Sequence, residues 1–177
     1  DYKSITLSEV AKRCNMGKST IYEYFASKDE MVFNSIIYYL NKMVKFFSSS
    51  FKVTTFRTSL RTFIKAVIIT MKANYWMVMP WTFIDNYAPF LNEHDSETIT
   101  EMLYKSKEVI FTLFTQICQK GEEEGTLFKI DDTRMNFAFC GIIGSLSEEI
   151  DSNYDIESEE SKLFVEDLCS CVAKQLN

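Results

Sequence analysis

The sequence is poor in residues that break helices. Its 177 residues include five glycines and two prolines, too few for the many tight turns of a sandwich or barrel. Apolar residues recur at helical spacing nearly throughout, which predicts an all-α fold. There is one histidine, His94, and the spacing puts it in a loop or at a helix start. Without forcing His94, no Ser/His/Asp set can be assembled, and there is no metal-ligand cluster or glycine-rich phosphate loop. The reading is therefore of a protein that is not an enzyme and needs no cofactor. No apolar run reaches the ~18 residues of a membrane span and no signal peptide is visible, so a cytoplasmic protein without a membrane partner is expected. The five cysteines, 14, 118, 140, 169 and 171, are odd in number and lack ligand spacing. They read as buried free thiols in a reducing compartment.

Hydrophobic residues, at 46% of the chain, are plentiful enough for one or two small domains with a real core. The net charge of −6 looks wrong for a nucleic-acid binder until it is divided. Residues 1–52 hold eight Lys/Arg against five Asp/Glu, and residues 53–177 hold eleven against twenty. The basic end attracts phosphate, while the acidic remainder keeps the body off the duplex.

The stretch Ser8 to Lys28 gives that basic end a form. Val10, Ala11 and Cys14 share one face of a short helix. Asn15-Met16-Gly17 breaks it, with Asn15 where a left-handed residue is needed. Gly17 serves as a weak N-cap for a second helix, Lys18 to Tyr24. Met16, Ile21 and Phe25 point inward. Lys18, Ser19, Thr20, Tyr22 and Tyr24 are left facing out, a set poor for folding and well suited to a DNA groove. The pattern is a helix-turn-helix. Ser27-x-x-Glu30 is a capping box that opens a long helix to about Phe47, along which Val32, Ile36, Leu40, Val44 and Phe47 form a stripe. Lys28 in its first turn, beside exposed amides, favours a phosphate.

The run Val10-Ala11, Asn15-Met16-Gly17-Lys18-Ser19-Thr20-Ile21-Tyr22-Glu23-Tyr24-Phe25 and Ser27-Lys28-Asp29-Glu30-Met31 resembles the TetR/AcrR family of transcriptional regulators. The family usually has Gly where Asn15 stands and Ser or a similar cap where Gly17 stands, two departures that weaken the motif slightly. The resemblance covers about 30 residues. It implies that Lys18, Ser19, Thr20, Tyr22 and Tyr24 meet DNA and that Lys28 holds the backbone. It also implies a further helix before Asp1, which is expected either to be truncated or to lie outside this chain. Beyond the motif, only the helix layout is alike.

Further along, Thr54-Thr55 opens a helix to about Ala73, with Phe56, Leu60, Phe63, Ile64, Val67 and Met71 on one face. A dense aromatic segment follows, in which Pro80 starts or kinks a helix and Pro89 ends it. His94-Asp95-Ser96 leads into a long helix to about Glu123, and Gly121 to Gly125 reads as a solvated loop. Asp131-Asp132-Thr133 caps a helix to about Ile150, and Ile156 to Leu176 gives the last.

These last two helices carry more apolar surface than one neighbour needs, and small residues on one side of the first allow close approach. Phe137, Gly141, Gly144, Ser145, Phe164, Leu168 and Val172 are read as a dimer face forming a four-helix bundle with a second copy. Phe63, Met71, Trp76, Met79, Trp81, Phe83, Tyr87, Met102 and Phe114 would line an apolar cavity. The resemblance implies that a small inducer sits there.

The expectation is thus a DNA-binding domain over 1–47, including the connecting helix, and a ligand-binding and dimerisation domain over 48–177. The implied partners are double-stranded operator DNA, a small-molecule inducer and a second copy of the chain. The implied function is a ligand-responsive homodimeric regulator, of which a repressor is the simplest form. The alternative is the same fold acting through a protein partner, with DNA binding architectural or lost.

Overall fold

The computed structural model describes residues 5–49, 51–78, 91–150 and 154–177. Among these residues the regular elements are all α-helices: α1 (Leu7–Arg13), α2 (Lys18–Tyr24), α3 (Lys28–Ser49), α4 (Phe56–Val78), α5 (Glu93–Glu123), α6 (Asp132–Glu149) and α7 (Glu159–Leu176). None is long and apolar enough to cross a membrane.

Short polar residues set the starts. Thr6, Asn92, Asp131 and Ser158 each accept a backbone amide at the N-cap of α1, α5, α6 and α7, answering donors the first turn cannot satisfy internally. At the start of α3, Ser27 Oγ accepts from the Glu30 amide at 3.1 Å, and the Glu30 carboxylate reaches back to the Ala26 amide at 2.7 Å. That is the anticipated capping box, shifted by one amide.

Three apolar clusters hold the chain, and α3 runs through all of them. Leu7, Ala11, Ile21 and Met31 form the first, Ile36, Leu40, Ile99 and Leu103 the second. The third and largest joins α4, α5, α6 and α7 to Phe47 at the end of α3. A chain of rings crosses it: Phe63 meets Phe114 at 5.7 Å between centroids, and Phe114 meets Phe139 at 5.8 Å. Arg61 on α4 grips the Glu166 carboxylate of α7 with two nitrogens. The hydrogen bonds raise the Arg61 pKa and lower that of Glu166. Both side chains are well exposed, so the pair contributes at most about 1 kcal/mol.

The body departs from the sequence reading in several places. The α4 helix runs on to Val78, past Ala73. Gly121 is not in a solvated loop: it is buried inside α5, which closes at Glu123. The loop proper turns at Gly125, whose φ of +68° suits a residue without Cβ. Nor is the acidic run merely solvated. Glu122 accepts from the Ile130 amide at 2.7 Å and Glu124 from the Phe56 amide at 3.1 Å. These carboxylates satisfy amides that lie outside helices or in a first turn, a role composition cannot reveal. Of the cysteines, Cys118 and Cys169 are buried as expected, whereas Cys14, Cys140 and Cys171 are exposed.

Candidate nucleic-acid interface

The turn between α1 and α2 is built by backbone geometry. Asn15 adopts φ +53°, the left-handed conformation anticipated for it. The Met16 amide then donates to the Ala11 carbonyl at 2.9 Å and the Asn15 amide to the Lys12 carbonyl at 3.2 Å. This pair of bonds is the Schellman closure, and it brings Met16 back against the buried face of α1. Cys14 is the C-cap of α1 and is exposed. It therefore leaves the inward face assigned to it, and Leu7 takes the buried place one turn before Ala11. Gly17 caps α2 without a side-chain bond, as its chemistry requires.

One side chain fixes how α2 is turned. Ile21 is 2% exposed and sits in the first cluster, with Met16 and Phe25 packed around it. The opposite side of this two-turn helix is thereby directed outward. Tyr22 and Tyr24 are 49% and 68% exposed, Lys18 and Ser19 are also exposed, and Thr20 is half-buried. Glu23 is exposed among them, and Lys28 is half-buried in the first turn of α3. Five of the six residues anticipated to face DNA thus lie on α2, and the sixth, Lys28, in the first turn of α3. Lys12 and Arg13, both exposed at the end of α1, stand next to the same turn. The motif reading passed over them, although the basic balance of residues 1–52 was their signal.

Residues 1–34 match the family model described as bacterial regulatory proteins, tetR family. The helix-turn-helix is thus similar to that of the tetR family, and it stands on a fold similar to those of solved TetR-family regulators. The transcriptional regulator PfmR from Thermus thermophilus is similar over 99% of this chain and 91% of its own, at 15% identity and a TM-score of 0.62. A tetR-family regulatory protein from Rhodococcus RHA1 is similar over 99% of this chain and 88% of its own, at 13% identity and a TM-score of 0.62. The fatty acid degradation regulator FadR from Bacillus halodurans is similar over 97% and 86%, at 15% identity and a TM-score of 0.61. No functionally curated protein matches the sequence significantly. At these identities the TetR likeness of the body is one of fold.

The other anticipated residues divide. Phe63, Met71 and Phe114 lie fully buried in the main cluster, and Met102 is half-buried against the second. Trp76 falls within α4, and its side chain, with Met79, Trp81, Phe83 and Tyr87, lies outside the described residues. On α6, Phe137 is 69% exposed, and Gly141, Gly144 and Ser145 are exposed beside it. Phe164 and Leu168 on α7 are half-buried. Val172 is placed differently from the other six, packed at 2% exposure into the chain's own core. Helical spacing had set it on the same stripe as Leu168, but the stripe is wide enough to serve two neighbours.

Proposed function

We propose that the protein is a homodimeric, ligand-responsive transcriptional regulator, in its simplest form a repressor that a small, largely apolar or aromatic inducer releases from operator DNA. The observation that carries this is the orientation of α2: Ile21 is buried while Lys18, Ser19, Tyr22 and Tyr24 around it are exposed. A base, a hydroxyl and two phenols can reach phosphates and base edges together. In this reading residues 1–47 are the DNA-binding unit and residues 48–177 bind ligand and dimerise. The exposed α6 face around Phe137 and Gly144, with Phe164 and Leu168, supports a self-complementary contact between copies.

The signal would pass along α3. A ligand among Phe63, Met71, Met102 and Phe114 must displace close-packed side chains, so helices shift rather than compress. Phe47 ties the end of α3 to that cluster, and Met31 ties its start to the reading head. Two heads share one face of a duplex when they sit about one turn, ~34 Å, apart. A tilt of α3 alters that spacing without touching a DNA contact. Linkage then requires operator to weaken inducer binding by the factor with which inducer weakens operator binding.

The test begins by selecting a duplex from a random pool with the full-length protein. Thr20→Ala and Tyr22→Ala should weaken binding to it by about 1–3 kcal/mol. Lys28→Ala should weaken all sequences alike and reduce the salt slope by about one. Unchanged binding in all three variants sinks the reading.

A further inference from the structure

The exposed side of α6 carries a pattern with a centre. Arg134, Phe137, Gly141, Gly144 and Glu148 recur at alternating intervals of three and four residues and are all exposed, so they form one stripe along the helix. Met135, Ala138, Ile142 and Leu146, on the other side, are buried in the main cluster. Gly141 is the midpoint of the stripe, equally far from the arginine at one end and the glutamate at the other. A Cβ added at Gly144 would meet nothing within 4 Å, and one at Gly141 would meet the Gln175 side-chain oxygen at an ordinary 3.9 Å. The chain's own packing thus asks for glycine at neither position, although a helix interior disfavours it. Phe137 keeps its ring 69% exposed between them and Arg134. The Gln175 contact sets the end of α7 alongside the stripe, and Phe164 and Leu168, on the same side of α7 as Gln175, are half-buried. Among the described residues, neither the Arg134 guanidinium nor the Glu148 carboxylate is in an ion pair of its own chain.

A face that ends in opposite charges at equal distances from its centre is complementary to itself when turned end for end. We propose that two copies of the chain pack α6 against α6 antiparallel, about a two-fold axis at Gly141, with Arg134 of each copy paired to Glu148 of the other. This rests on the homodimer reading above and gives its contact a direction and a register. Arg134 and Glu148 stand about 21 Å apart along the helix at 1.5 Å per residue, so one turned copy brings both ion pairs level at once, and the axis makes each contact twice. In the same register Phe137 falls level with Ser145 of the second copy, beside Gly144, where the missing Cβ leaves room for the ring as a knob in a hole. Parallel packing of the same stripes sets arginine on arginine and glutamate on glutamate, and like charges so placed repel. The neighbouring carboxylates do not upset the pairing. Asp131 caps the helix by accepting the Arg134 amide at 2.9 Å, and Asp132 and Glu149 lie round the helix from the stripe.

The experiment compares the full-length protein with Arg134→Glu, Glu148→Arg and the double variant by analytical ultracentrifugation over a dilution series. Both substitutions suit the α6 dipole, with an acid in the first turn and a base in the last, so a lost dimer is not lost folding. Each single variant sets like charges together at both ends of the contact and should raise the dimer dissociation constant on the order of tenfold at low salt. The penalty should shrink as salt screens the exposed charges. The double variant restores opposite charges and should return to within about twofold of the wild type. A dimeric wild type whose single variants dissociate no more readily refutes this register, and so does a double variant no tighter than the singles; the homodimer reading then stands with its contact arranged otherwise. A wild type that is monomeric at every concentration overturns that reading and the register with it.

Discussion

The ring of Phe47, at the end of α3, stands against the ring of Phe63 on α4, with centroids 6.4 Å apart and planes inclined at 62°. Phe47 is the α3 residue buried in the main cluster. Phe63 in turn meets Phe114 on α5. A displacement at the centre of the body therefore reaches the rod that carries the reading head within two ring contacts. Truncation at Phe47, which should lower stability by about 3–5 kcal/mol, removes the first of them.

The turn of the DNA-binding motif can be tested at Asn15. An L-residue in the left-handed region carries about 1–2 kcal/mol of steric penalty that Gly escapes and Asn only partly offsets. With φ at +53°, Asn15→Gly should raise the melting temperature slightly and Asn15→Ala should lower it, as read by thermal denaturation. Equal stability of the two variants would contradict the Schellman geometry.

For the proposed dimer, Gly144→Leu separates self-association from folding. A Cβ at Gly144 meets nothing within 4 Å of its own chain, and replacing a helical glycine gains up to ~1 kcal/mol of propensity. The variant should therefore fold at least as stably as the parent. Between two copies packed through this face the leucine has no room. Light scattering should show a monomer; an undiminished dimer places the contact elsewhere.

Gly121→Ala should have the opposite effect. Its new Cβ would lie 2.6 Å from Leu127 Cδ1 and 3.0 Å from Phe56 Cδ2. Overpacking of about 1–3 kcal/mol outweighs a helix gain of up to ~1 kcal/mol. Urea denaturation should give a lower midpoint for the variant.

Alkaline pH should expose the two core thiols. Burial, the leading cause, pushes Cys118 up to about 12 and Cys169 up to about 11, from an ordinary value of 9.0. The unfolded chain releases these protons first. The stability they confer is whole below pH 9 and declines as pH rises toward 11–12, by ~1.4 kcal/mol per pH unit for each thiol. Urea titrations between pH 8 and 11 should show a shallower decline for Cys169→Ala than for the parent. Parallel curves would mean that this thiol ionises as readily in the fold as outside it.

Local chemistry was the most legible part of the sequence. Asn15, Gly17 and Ser27 each do with the backbone what their own side chains, or the lack of one, dictate within four residues, so the motif could be read almost to the residue. The helix stripes were legible too, because Phe56, Leu60, Phe63, Ile64, Val67 and Met71 recur at a period that only a buried face explains. Partners distant in the chain were not. Glu124 looks like a solvated acid until α4 starts beside it with an unanswered Phe56 amide. Val172 sits on the right helix, but spacing alone does not say whether the neighbour is the same chain or another.

Among the described residues, the three clusters along α3 share no buried side chain. Val32 packs against the first and the second, and Met43 against the second and the third. Free-energy changes from substitutions in different clusters should then simply add, as they do for sites without common partners. Non-additivity between the reading head and the body concentrates at Val32 and Met43. Substitutions in the helix-turn-helix and in the four-helix body can thus accumulate as nearly independent changes, provided these two half-buried side chains are kept.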